Sequence, residues 1–289
     1  MRSRAEPRNT IGVGDRTLGP DPVLVGILNV TPDSFSDGGE FLDPAKAASH
    51  AATMLDEGAG IIDVGGESTR PGSDPIPREE EARRVVPVIE RILSMHPNAV
   101  VSIDTYRAAT AEAALQAGAR MVNDVSALRG DPRMAEVVAD ARCPVVLMHM
   151  LGEPKTMQRD PRYDDVVREV REFLFARAEH AVAAGVAPED IMLDPGIGFG
   201  KTLEHNLKIL SGLDVIVELG FPVLVGASRK SFIGRISGVE EARERVFGTV
   251  AANVIACERG ATFFRVHDVR ANREALAVVR AVIGAPAKR

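Results

Sequence analysis

Residues 23–39 read VLVGILNVTPDSFSDGG. The first part, Val23-Leu24-Val25-Gly26-Ile27-Leu28, is long enough for one strand and has no polar side chain. Such a run marks a strand buried on both faces, as in a parallel sheet covered by helices; a half-wet antiparallel strand would alternate. The second part turns polar and turn-forming, with Asn29, Thr31-Pro32-Asp33-Ser34 and Asp37-Gly38-Gly39. A buried strand that empties into a loop of small residues is how α/β proteins present chemistry.

The pattern repeats along the chain. Eight apolar runs end in polar residues: ILN at 27–29, IIDVGGE at 61–67, VVSID at 100–104, MVND at 121–124, VVLMH at 145–149, IMLD at 191–194, VLVGASRK at 223–230 and FFRVH at 263–267. Segments with helical spacing lie between and after them, at 44–57, 79–95, 108–117, 132–141, 163–184, 203–213, 240–258 and 270–283. Gly58, Gly118, Gly185 and Gly260 each follow a helical segment and precede an apolar run, as left-handed C-terminal caps do. Eight strand–helix units without a compositional break predict an α/β fold, a single (β/α)8 TIM barrel. An open doubly wound sheet is the alternative. Residues 1–20 form an N-terminal extension, disordered over the first ten, with a short hairpin at 10–19 around Gly14-Asp15; residues 21–289 form the barrel domain.

Composition narrows the function. Lys+Arg 35 against Asp+Glu 41 gives a net charge of −6, which offers no footprint for nucleic acid or an anionic membrane. Two cysteines, Cys143 and Cys257, are too few for a disulfide framework and sit in apolar surroundings, so they read as reduced core residues of a cytoplasmic protein. The start, MRSRAEPRNT, is basic but lacks the apolar core of a signal peptide.

In a barrel the polar strand ends converge on one face. The glycine-rich stretch PGIGFGKT at 195–202 fails as a Walker A loop, because Pro195 stands where the first glycine belongs. It fails as a dinucleotide fingerprint too, with Lys201 in place of the third glycine. What remains is a flexible β–α loop with Lys201 at a helix start. Asp63, Asp104, Asp124 and Asp194 terminate apolar runs, where a desolvated carboxylate needs a partner. Capping of the next helix is the plain explanation and suffices for Asp63 and Asp124. Asp104 and Asp194, facing one cavity with Asn123, suit a ligand with amidine-like N–H donors such as an aminopyrimidinone ring. Ser228-Arg229-Lys230-Ser231 and Arg265-Val266-His267-Asp268 end the last two runs, where barrels usually hold phosphate. His50, His96, His180 and His205 fall in or beside helical segments and read as surface residues, while His149 is open between structure and function. A His/Cys metal cluster is not indicated, but Mg²⁺ held mainly by substrate phosphates and one oxygen such as that of Asn29 is compatible with the sequence. No serine sits in a nucleophile elbow.

These residues resemble a known family. NVTPDSFSDGG at 29–39 and DVGGESTRPG at 63–72 are similar to two signatures of dihydropteroate synthases. SIDT at 102–105, NDVS at 123–126, DPGIGFGKT at 194–202, SRKSF at 228–232 and RVHD at 265–268 match in the family's order, and the resemblance spans residues 23–283. It implies that 4-aminobenzoate is joined to 6-hydroxymethyl-7,8-dihydropterin pyrophosphate, with Mg²⁺ as cofactor and a homodimer as the assembly. It implies that Asp104, Asn123, Asp194, Lys230 and Arg265 hold the pterin with Met148 beside it. Asn29, Arg265 and His267 take the pyrophosphate, and Asn29 also touches Mg²⁺. Phe35, Thr69, Arg70, Pro71, Phe199 and Ser231 shape the aminobenzoate pocket. Asn29, Asp104, Asp194, Lys230, Arg265 and His267 are thereby the expected catalytic set. Loops 1 and 2, which carry Phe35 and Thr69–Pro71, are expected to order on ligand binding. The rival functions are a pterin-binding methyltransferase domain, which shares the barrel and acidic floor, and a silent pterin-binding paralogue.

Overall fold

The computed structural model describes residues 9–31, 43–68, 73 and 76–284. The chain opens with a hairpin of β1 (Ile11–Val13) and β2 (Arg16–Leu18), turning at Gly14-Asp15 as the sequence predicts. The expectation of a disordered start falls mostly on residues 1–8, outside the described residues.

Eight parallel strands follow: β3 (Val23–Asn29), β4 (Ile61–Gly65), β5 (Val101–Asp104), β6 (Met121–Asp124), β7 (Val145–Met148), β8 (Ile191–Asp194), β9 (Leu224–Val225) and β10 (Phe263–Val266). They pair in the order β8-β7-β6-β5-β4-β3-β10-β9. A parallel bridge between Leu193 and Val223, with the Leu193 N–H donating to Pro222 O at 2.9 Å, joins the two ends. The sheet is therefore a closed barrel, not an open doubly wound sheet.

The helices are α1 (Pro44–Glu57), α2 (Arg78–Met95), α3 (Ala108–Gln116), α4 (Met134–Ala141), α5 (Val166–Ala183), α6 (Leu203–Ser211), α7 (Leu213–Val217), α8 (Ser231–Ser237), α9 (Val246–Glu258) and α10 (Val269–Gly284). Asp43 caps α1 by accepting from the Ala45 N–H at 2.9 Å, with Pro44 in the first turn. The four cap glycines, Gly58, Gly118, Gly185 and Gly260, all take positive φ, from 97° to 107°.

The expected helices differ from the observed ones mainly at their starts. The helix expected at 163–184 begins at Val166 because Asp165 caps it, accepting from the Arg168 N–H. The one expected at 203–213 ends at Ser211, and Gly212 separates it from the short α7. The one expected at 240–258 begins at Val246; only a 3-10 turn at Ala242–Glu244 precedes it, in a stretch that Arg245 ties down by donating to the carbonyls of Val239, Glu240 and Arg229. The helix α8 was not anticipated.

Strand side chains alternate between the helical jacket and the barrel interior. Outward residues such as Leu24, Val64, Ile103, Leu147 and Leu193 pack against the helices. Inward residues at the amino-terminal end (Val23, Val25, Ile61, Met121, Val146, Met192, Leu224 and Phe263) form a second apolar cluster with Val100. Ile11, Val13 and Leu18 of the hairpin complete that cluster, so the hairpin plugs the bottom of the barrel. The inward positions at the other end are mostly polar.

Candidate active site

Period-two alternation, continued past the apolar layer, sends Asn29, Asp63, Gly65, Ser102, Asp104, Asn123, Met148, Asp194, Gly226 and Arg265 into the barrel mouth. Register brings them level: Asn29 pairs with Gly65, Gly65 with Asp104, Asp104 with Asn123, and Met148 with Asp194. Asp124, one residue out of phase, faces the jacket. It accepts from Ser126 N and Oγ, both at 2.7 Å, and from Leu128 N at 2.8 Å, so it organises the loop after β6 instead of capping the next helix, α4, whose N-cap is Arg133.

Asp63 departs from the capping explanation as well. Its fully buried carboxylate caps no helix; it accepts from Ser102 Oγ at 2.6 Å, Asn123 Nδ2 at 3.0 Å and Arg265 Nε at 2.6 Å. Asp63 thus fixes two of the expected pterin residues from below. Arg265 reaches on to Asp104 Oδ2, 2.6 Å from its second nitrogen. Burial works against the Arg265 charge, but Asp63 and Asp104 outweigh it and hold the guanidinium above its ordinary range. Burial also pushes the Asp104 carboxyl up to about 7, against the pull of Arg265 and with repulsion from Asp63. The other oxygen of Asp104, Oδ1, is buried without a hydrogen-bond partner. A desolvated acceptor left unmade is costly, so it is suited to a ligand donor.

Opposite, Asp194 Oδ1 accepts from the Gly196 N–H at 2.7 Å, and burial raises its carboxyl against the opposing charge of Lys230. Lys230 Nζ donates to the carbonyl of Ile197 and stands 4.5 Å from the Phe199 ring centroid. Burial lowers its ammonium to about 8, with Asp194 opposing. Gly226 keeps the space between them open: a Cβ there would lie 3.9 Å from Asp194 Oδ2 and 3.8 Å from Arg265 Cβ. A Cβ at Gly65 would lie 3.6 Å from Asp104 Oδ2 and 3.8 Å from Asn29 Oδ1, so Asn29 and Asp104 border one small volume. Met148 joins Val125, Met150 and Met157 in an apolar wall against which Tyr106 and Phe199 pack.

The basic strand ends, expected from the sequence to form an anion site, are partly engaged within the protein. Arg229, with φ +58°, turns away from the mouth and grips Asp268 through Nε (2.9 Å) and a terminal nitrogen (2.5 Å), tying the loop after β9 to the one after β10. His267 Nδ1 lies 2.9 Å from Ser228 Oγ, which also accepts the His267 N–H at 3.2 Å. Ser231 is exposed at the first turn of α8, beside Lys230.

Residues 25–267 match the family described as pterin binding enzyme. The dihydropteroate synthase of Synechocystis is 49% identical over 86% of this chain and 86% of its own. The chain belongs to the dihydropteroate synthase family. Xanthomonas albilineans dihydropteroate synthase with 4-aminobenzoic acid superposes with a TM-score of 0.90 at 47% identity, covering 96% of this chain and 99% of that one. The complex of the same enzyme with 7,8-dihydropteroate gives 0.87 at 45% identity, covering 96% and 100%.

Of the residues expected from this family's pattern, Asn29, Asp104, Asn123, Met148, Asp194 and Arg265 share the barrel mouth, with Lys230 and Phe199 along its rim. Phe35, Thr69, Arg70 and Pro71 lie outside the described residues, as do most of loops 1 and 2. Sequence reasoning missed Asp63, which strand parity alone would have recovered, since it is two residues before Gly65 on the inward face. It also missed Met150, Met157 and Tyr106, which no period marks. Lys201 was expected at a helix start; Thr202 caps α6, and Lys201 is turned inward and 3% exposed. His205, expected on the surface, is half-buried and completes the capping box with Thr202.

Proposed function

We propose that the chain condenses 6-hydroxymethyl-7,8-dihydropterin pyrophosphate with 4-aminobenzoate, releasing pyrophosphate and forming 7,8-dihydropteroate. The observation that carries this is the acceptor-rich mouth, above all the unpartnered Asp104 Oδ1 between Asn123 and Arg265. A pterin ring edge presents the N–H donors such a floor lacks. Asp104, Asn123, Asp194 and Lys230 hold the ring, Met148 packs on its face, and Asn29, Arg265 and His267 take the pyrophosphate. Phe199 and Ser231, with Phe35, Thr69, Arg70 and Pro71, shape the aminobenzoate pocket.

In the reaction the bond from the exocyclic methylene to oxygen breaks, and its electron pair leaves with pyrophosphate. The electron-rich dihydropterin stabilises the resulting cation. The aniline nitrogen attacks the methylene and sheds one proton as the C–N bond forms. No protein nucleophile is needed. Asp104 and Asp194 place negative charge beside the developing cation, while Lys230 and Arg265 offset the leaving group.

Mg²⁺ fits this site only as a substrate-held ion. Among the described residues no three His, Cys, Asp or Glu side chains form a metal cage, whereas Asn29 offers an amide oxygen toward the open space at Gly65. When bound, the ion would offset phosphate charge.

A homodimer is also part of the proposal. It is supported by exposed apolar residues on the last helices: Phe247, 88% exposed, with Ile236, Ile255, Val278 and Val282. Cytoplasmic residence is supported by the two buried free cysteines; no helix among the described residues is long and apolar enough to cross a membrane.

Pyrophosphate release is measured with dihydropterin pyrophosphate and Mg²⁺, with and without 4-aminobenzoate. Release that requires 4-aminobenzoate, with dihydropteroate in equal amount, is the expected outcome. Tight pterin binding without product would favour the methyltransferase or the silent paralogue instead.

A further inference from the structure

Lys201 is a buried cation that none of the roles above uses. Its Nζ lies 2.8 Å from His149 Nδ1, 3.0 Å from Phe199 O and 3.4 Å from His149 O. No carboxylate is among these partners. Burial presses the amine toward neutrality, Lys230 adds repulsion and Asp194 opposes both. Three acceptors nevertheless match the three N–H bonds of an ammonium. His149 is then the acceptor at Nδ1 and carries its proton on Nε2, consistent with burial and the Lys201 charge holding its imidazole down at about 2.

The neighbours show what this contact secures. The His149 N–H donates to Asp194 O at 2.9 Å. Gly196, at φ +65°, packs so closely that a Cβ would fall 1.9 Å from His149 O. Around the loop, the Gly198 carbonyl accepts from Gln158 Nε2 at 2.6 Å, that of Gly200 from the Tyr163 hydroxyl at 2.8 Å, and that of Ile197 from Lys230. The Phe199 carbonyl is held by Lys201, and the Phe199 ring faces Lys230.

We infer that Lys201, seated on His149, is a positioning residue that sets the Phe199 ring for the second substrate, the aromatic amine. This rests on the proposed function for the identity of that substrate. Lys201 touches no reacting atom; it acts through the backbone of Phe199.

Two measurements test it. Nitrogen NMR of the wild-type protein should show a neutral His149 ring, unprotonated at Nδ1, across about pH 5.5–8.5. A proton on Nδ1, or a ring that titrates there, overturns the contact whatever the enzyme makes. Kinetics are then compared for wild type, Lys201→Met, Phe199→Ala and the double variant. Lys201→Met should raise KM for 4-aminobenzoate about ten- to a hundredfold. The dissociation constant of the pterin pyrophosphate, titrated alone, should move less than about threefold, and the KM effect should vanish in the Phe199→Ala background. Equal losses for both substrates, or penalties that multiply in the double variant, overturn the inference. If Lys201→Met does not fold, His149→Asn, which can present an oxygen near Nδ1, should keep the wild-type KM while His149→Ala raises it; equal values overturn the inference. A wild-type protein that makes no dihydropteroate overturns the functional proposal, while the NMR result still decides the Lys201–His149 contact.

Discussion

Asp104 keeps one oxygen on Arg265 at 2.6 Å and leaves the other, buried, without a partner. The folded protein therefore binds the proton of this carboxyl more tightly than the unfolded chain does, at about 7 instead of 3.8. Stability contributed by the protonated form is complete below 3.8 and lost as pH rises through 7. Asp104→Asn avoids that loss: its Tm relative to wild type should rise from pH 4 to 7, while turnover falls by about 10²–10³. Calorimetry at several pH values with product assays checks both, and a Tm difference independent of pH would contradict the raised carboxyl. The wild-type kcat/KM should rise through about 7 as Asp104 ionises and fall through about 8 as Lys230 loses its proton. A profile flat over about pH 6–9 would count against both groups. The comparison of Asp63 with Asp124 shows what the sequence left open. Both end apolar runs, but strand parity sends Asp63 to Arg265 and Asp124 to the backbone of its own loop.

Elements in this chain are delimited by local hydrogen bonds as much as by periodicity. Thr202 Oγ1 accepts from the His205 N–H at 3.2 Å, and His205 Nδ1 accepts the Thr202 N–H at 3.2 Å, which fixes where the glycine-rich loop ends and α6 begins. Thr202→Ala should cost about 1 kcal/mol in urea denaturation. Retention of full stability would mean that the loop, with its side-chain anchors, sets the helix start without the cap. The start of α9 has a different cause: Arg245 holds the carbonyls of Val239 and Glu240 in the preceding segment and that of Arg229 ahead of α8, contacts that helical spacing over 240–258 does not encode. The left-handed cap glycines, Gly58 at the end of α1 among them, were legible because their signals lie within a few residues.

At the scale of the molecule, the barrel has two ends with different contents. The lower end is apolar and sealed by Ile11, Val13 and Leu18; the upper end is polar and carries the candidate site. A protein lacking residues 1–20 should lose the plug and expose Val23, Ile61 and Val100, lowering Tm by roughly 10 °C. Scanning calorimetry checks this, and an unchanged Tm would show that the hairpin contributes no packing energy. Because the plug lies at the opposite end from the mouth, the shortened protein should retain its KM values below the melting range.

The amino-acid sequence by itself determined the barrel, its strand and helix count near enough to name the class, and the family, because hydrophobic periods, capping residues and ordered motifs are local signals. It also marked Asp104, Asn123, Asp194, Lys230 and Arg265, since each ends a buried run. Only the tertiary structure decided how these groups are spent. It gave Arg265 to two carboxylates, turned Arg229 away to Asp268, and brought Lys201 onto His149 from 52 positions away. The physical reason is that charge pairing and desolvation depend on distances across the barrel, which the closing of eight strands sets and no stretch of sequence contains.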